Sequence, residues 1–265
     1  PLSFGVRGVI NGPTSYFSGA LDEVAIWRAE LSSSEILQIY QKQVAKFGGH
    51  FASPIISMPI NTSWSRFKWL SHLPYLKELP GDTNATPDSE SSAEYSELSA
   101  NLGTGLIALW HLDEATTGTA TGGKDFADSS NRALPLSKTG TVTLGQSGFL
   151  GKSPLLDGAS GYVSTGAFDF GTLNEITYSF WAKNSIAQLT AKQGLVRKAT
   201  QVFEVFSENG QLKYCISNSV AWHCAVIGPI FYDWDQWHFF TIVYNGANVF
   251  AYRDGKLIGT SGAET

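Results

Sequence analysis

From Leu106 to the C-terminus, apolar and polar residues alternate in short runs separated by Gly, Asn, Asp and Ser. Alternation with period two is the mark of half-buried strands, because successive side chains point to opposite faces. LIALWHL at 106, TVTL at 141, PLLD at 154, YVST at 162 and ITYSFWAK at 176 open the series. GLVRK, VFEVF, QLKYCIS, HCAVIG, WHFFTIVY, NVFAYRD and KLIGT continue it. In ITYSFWAK the pattern places Ile176, Tyr178, Phe180 and Ala182 on one face, and Thr177, Ser179, Trp181 and Lys183 on the other. Asn209-Gly210 and Asp254-Gly255 mark hairpin turns, since both pairs tolerate positive φ. This half predicts no helix. The expected fold class is all-β, an antiparallel jelly-roll sandwich with one short helix supplied by the N-terminal stretch.

That stretch has a different order. PLSFGVRG and YFSGALDEVAIWRAEL read as two strands, with Val24 and Ile26 alternating against Glu23 and Ala25. Ser32 and Glu35 then form a capping box, which satisfies free amides of a first helical turn. Ile36, Leu37, Tyr40 and Val44 form an apolar stripe at helical spacing, predicting a helix of about three turns. Residues 44–104 form a connector in which FASPIISM and RFKWL read as short strands and the rest as a polar, turn-rich loop.

Composition narrows the classes of function. Only 15% of residues are charged and 13% are aromatic, which excludes a disordered chain or a long coiled coil. A net charge of −5 without any Lys/Arg cluster argues against nucleic acid as a partner. No apolar run approaches the roughly 18 residues a membrane span requires. The chain starts at Pro1, without the basic-then-apolar opening of a signal peptide. The expectation is a secreted, extracellular or cell-surface chain, processed from a longer precursor.

GLIALWHLDE, DFADSSN, LLDGASGYVS, ITYSFWAK, DQWHFFTIVYNG and AYRDGKLIGT, in that order and spacing, resemble the laminin-G-like branch of the concanavalin A-like lectin/glucanase families. YFSGALDEVAIWRAELSSSEILQIYQKQ resembles the closing strands and terminal helix of the same family, yet here it comes first. The resemblance therefore divides the chain into closing strands and helix (1–43), connector (44–104) and the main part of a jelly roll (105–265). Residues 1–43 complete their own sandwich, a neighbour's, or a preceding repeat's. In each case an incomplete sandwich exposes unpaired edges and apolar faces. The leading expectation is donation to another copy, building a fibre through Phe17, Leu21, Val24, Ile26 and Trp27. The partners are then other copies of the chain or adjacent repeats, with a carbohydrate-binding adhesin as the alternative.

Catalytic residues are expected to be none. A glucanase needs two carboxylates facing each other across a cleft, whereas Asp22-Glu23 and Asp113-Glu114 are adjacent pairs that simple alternation sends to opposite faces. His111 and His238 each follow a Trp in an apolar run, as core or edge histidines do, and His50, His72 and His223 show no metal spacing. Cys215 and Cys224 lie on neighbouring runs and read either as a cross-strand disulfide or as two buried thiols. The resemblance implies a structural Ca²⁺, with oxygens from Asp125, Asp128, Ser130 and Asn131 and a closing ligand from Asp22. The competing reading of these residues is ordinary turn formation. Trp222, Tyr232 and Trp234, in or beside loops, are the expected glycan-binding aromatics.

Overall fold

The computed structural model describes residues 1–9, 12–44, 78–79, 105–130, 132–167, 174–184, 190–198, 203–217 and 222–262. The N-terminal part contributes β1 (Leu2–Phe4), β2 (Val6–Val9), β3 (Gly12–Tyr16), β4 (Ser18–Trp27) and the helix α1 (Ser33–Gln43). Then follow β5 (Leu106–Trp110), β6 (Ser137–Thr139), β7 (Val142–Ser147), β8 (Lys152–Asp157), β9 (Tyr162–Ser164) and β10 (Ile176–Asn184). The remaining strands are β11 (Gln193–Lys198), β12 (Phe203–Glu208), β13 (Gln211–Ser217), β14 (Trp222–Ile230), β15 (His238–Tyr244), β16 (Asn248–Arg253) and β17 (Lys256–Gly262).

These strands form two main sheets. One has the order β14-β13-β12-β11-β1-β9-β6 and the other β17-β16-β15-β10-β4-β8-β7, with β5 also paired to β4. All the pairings are antiparallel. Both predicted hairpin turns form, with φ of 53° at Asn209 and 73° at Gly210, and 53° at Asp254 and 74° at Gly255.

The segment expected to leave for a neighbour is built into its own chain. β1 lies between β11 and β9, and β4 lies between β10 and β8, so each is an interior strand. Phe17, Leu21, Val24, Ile26 and Trp27 are all buried by the chain's own residues. In this structure both positions in the sandwich are filled by the chain's own residues. The PLSFGVRG run is also two strands and not one. Gly5, at φ 82°, turns the chain between β1 and β2, and β3 pairs back on β2.

The core has two layers. Between the sheets lie Phe4, Phe17, Leu21, Val24, Ile26, Trp110, Phe180, Trp234 and Phe240. On the outer face of β4 and β10, a second cluster contains Ala25, Trp27, Ile36, Ile39, Leu79, Trp181 and Phe239. The helix that covers this face is capped as predicted: Ser32 Oγ accepts from the Glu35 amide, and the Glu35 carboxylate accepts from the Ser32 amide. Its buried face is Glu35, Ile36, Ile39 and Gln43, whereas Leu37 is exposed, so the stripe is rotated from the predicted one. The reason is polar, because Gln43 has partners beneath the helix.

Candidate functional site: a buried carboxylate and histidine cluster

Alternation breaks in the middle of β4. Ser179 pairs with Ala25 but Trp181 pairs with Asp22, so Glu23 and Val24 together stand opposite Phe180. This is a β-bulge, with Glu23 in the left-handed region at φ 49°. Its consequence is a change of phase. Leu21 and Val24 both enter the core between the sheets, while Asp22 and Glu23 both reach groups on the outer side. The expectation that these adjacent acids point to opposite faces therefore fails.

The β4–β5 ladder supplies the histidine. Val24 pairs with Trp110, which places His111 beside Glu23, and the imidazole Nδ1 donates to Glu23 Oε1. Glu23 Oε2 accepts from the Gln43 side chain at 3.3 Å and from the Leu79 amide at 3.2 Å. Gln43 Oε1 in turn accepts from the Trp181 indole at 2.8 Å. Glu78 approaches His111 Nδ1 at 3.7 Å and shares a hydrogen bond with Asp113. Asp22 Oδ2 accepts from the amides of Phe149 and Leu150.

Carboxyl groups outnumber basic groups here, and little water reaches them. Asp22 is 0% exposed, Glu23 1% and His111 8%. Burial, then the Glu23 charge, raises Asp22 well above the usual carboxylate range. The same two causes lift Glu78 to about 8, and burial raises Asp113. Burial alone would lower His111. The Glu23 charge and hydrogen bond, followed by Glu78 and Asp113, instead hold it at about 9. His111 Nε2 and Asp22 Oδ1 are buried without a hydrogen-bond partner. Among the described residues, one group of His, Cys, Asp or Glu side chains is gathered closely enough to hold a metal ion: Glu23, Glu78 and His111.

The acidic loop expected to bind calcium is occupied with its own backbone. Asp128 Oδ1 accepts from the Leu109 and Ser130 amides, and Oδ2 from the Leu134 amide and Ser130 Oγ. Asp125 joins the amides of Gly118 and Lys138. Asp22 shares no hydrogen-bond partner with them, and Asn131 lies outside the described residues. Among the aromatics, Tyr232 is 78% exposed, whereas Trp234 is 1% exposed, stacks on Phe240 and donates its indole N–H to the Gly210 carbonyl. Trp234 is thus a core residue and not a glycan-facing one. Trp222 begins β14, and its side chain lies outside the described residues. Cys215 and Cys224 pair directly across β13 and β14 and form a disulfide. His238 sits in a polar network with Asp254, Arg253 and Asp233.

The sequence carried one usable signal for the cluster, namely two acidic pairs and a histidine on strands that pair. The bulge and the participation of Gln43 and Glu78 left no periodic trace.

Two facing antiparallel sheets with one short helix define a concanavalin A-like β-sandwich. Residues 157–265 match a laminin G family model described as the concanavalin A-like lectin/glucanases superfamily. A comparison with curated proteins finds no match. Among solved structures, the chain is similar to the crystal structure of the receptor binding domain of botulinum neurotoxin C/D mosaic serotype. That similarity has 8% identity and a TM-score of 0.32, and covers 57% of this chain and 39% of the other, so no functional argument is drawn from it. Among the described residues, no helix is long and apolar enough to cross a membrane.

Proposed function

We propose that the chain is a non-catalytic β-sandwich module of the cell exterior, a repeat or subunit of a fibre in which copies exchange residues 1–43. The observation that carries this reading is the interior position of β1 and β4. They come from a segment joined to β5 only through residues 44–104. A chain that releases them opens a gap in each sheet, and an identical segment from another copy fits both gaps with the same contacts. Cis and trans closure then differ mainly in the entropy of the connector, the condition that favours domain swapping. The Cys215–Cys224 disulfide supports an exported location, where such bonds persist.

The test is complementation. Chains lacking residues 1–43, mixed with a peptide of residues 1–43, should regain a folded sandwich. Full chains refolded at high concentration should form dimers and longer species. Full chains that stay monomeric at every concentration and never capture truncated ones would leave only a self-closed module.

Glycan binding is the second reading, favoured by the exposed Tyr232, two residues from the exposed Ile230. A glycan array would show binding that Tyr232→Ala removes. Binding indifferent to that change, or no binding at all, eliminates it. Neither reading includes release of reducing sugar from glucans.

A further inference from the structure

We propose that Glu23, Glu78 and His111 form a binding site for one divalent first-row transition-metal ion, for which Zn²⁺ is the matching probe. One ligand atom from each residue lies within 4.8 Å of the other two. Bound to one Zn²⁺ at roughly 2.0–2.2 Å, neighbouring ligand atoms stand about 3.4 Å apart, so His111 Nδ1 and Glu23 Oε1, now at 2.5 Å, would separate to admit the ion, a change that side-chain rotation supplies. The metal would take the place of the proton now held between His111 Nδ1 and Glu23 Oε1.

A further observation points to a ligand: Asp22, next to Glu23 in the chain and 0% exposed, has a carboxyl oxygen, Oδ1, without a hydrogen-bond partner. A buried polar atom left unsatisfied is costly, so such an atom needs an explanation. The imidazole sets the class of ion: mixed nitrogen and carboxylate donors suit Zn²⁺ and its neighbours, whereas Ca²⁺ and Mg²⁺ prefer oxygen alone. The site is separate from the acidic loop at Asp125 and Asp128.

Each ligand comes from a different segment of the chain. Glu23 belongs to the closing strands, Glu78 to the connector and His111 to the end of β5. Leu79, 3% exposed, already anchors the connector beside Glu78. Metal binding therefore clamps the closing strand, the connector and the main sandwich together, whether or not copies exchange strands.

The test uses the full chain, stripped with chelator, dialysed and titrated with ZnCl₂, with stoichiometry read by calorimetry and metal analysis. The expected result is one Zn²⁺ per chain and a raised thermal midpoint. His111→Gln should abolish binding. Glu78→Gln, at a position outside every strand and helix, should keep the circular dichroism of the sandwich yet weaken affinity by about tenfold or more. Replacing His50, His72 and His223 together by Ala should leave binding unchanged. Absence of saturable binding, unchanged affinity in folded Glu78→Gln, or loss of binding in the triple histidine variant would each overturn the assignment.

Discussion

Glu23, held at φ 49° in a bulge of β4, accepts a hydrogen bond from Nδ1 of His111, the residue that follows β5. This contact joins positions 88 residues apart and ties β4 to the residue that follows β5. The energetics of the cluster follow from who else touches Glu23.

Gln43 links the Glu23 carboxylate to the Trp181 indole. Gln43→Ala removes both contacts and leaves a buried indole N–H without an acceptor. The expected cost is about 1–3 kcal/mol, read from the midpoint of urea unfolding. Gln41→Ala, at an exposed position on the same helix, should change stability by less than about 0.5 kcal/mol and serves as the control.

Closure of the larger sheet depends on close approach at Gly19. A β-carbon there would fall on the Lys183 carbonyl of the paired β10 strand, where backbone cannot yield. Gly19→Ala should destabilise the chain by about 1–3 kcal/mol or more through overpacking. Exposure of the β4 slot should appear as faster hydrogen exchange along β10.

Trp234 and Tyr232 are two residues apart and should respond oppositely. Trp234→Ala empties a fully buried site stacked on Phe240 and should cost about 3–5 kcal/mol. Tyr232→Ala, at 78% exposure, should stay within about 0.5 kcal/mol. Thermal unfolding of both variants separates a structural aromatic from a surface one before any ligand is tested.

Asp157 predicts the acid response of the turn between β8 and β9. Its burial acts upward, but the backbone amides of Ser160, Ala159 and Gly161, with the Ser160 hydroxyl, outweigh it and hold the carboxyl below its usual range. A depressed carboxyl contributes stability that is present above its unfolded value, near 3.9, and that is lost as pH falls towards the lower folded value. Wild type should exceed Asp157→Asn by about 1 kcal/mol at neutral pH, after discounting for solvent exposure. That gap should shrink steadily below about pH 4, as measured by denaturation across pH.

The Cys215–Cys224 pair ties the outermost strand β14 to β13. Replacing both by Ser should lower stability by about 2–3 kcal/mol, the chain-entropy value for a short loop. Because β14 is an edge strand, the loss should show first as amide exchange in β13 and β14 and only later as global unfolding.

The sequence by itself determined what depends on near neighbours. Period-two runs placed β5 and the strands from β7 to β17 but not the short β6, Asn209-Gly210 and Asp254-Gly255 placed turns, and Ser32 with Glu35 placed the start of α1. Such signals survive in one dimension because they come from contacts within a few residues. Tertiary structure decided the rest. Only pairing of β4 with β10 introduces the phase slip that turns Asp22 and Glu23 to one side, and only docking of α1 on that side selects Gln43 over Leu37 as a buried residue. Trp234 became core because Phe240 and the Gly210 carbonyl, distant in the chain, meet it. Whether residues 1–43 close their own sandwich also lay beyond local pattern, since β1 and β4 pair with strands distant in the chain. The cluster at Glu23 combines these effects, because its members are brought together by a bulge, a helix and a connector that no single periodicity spans.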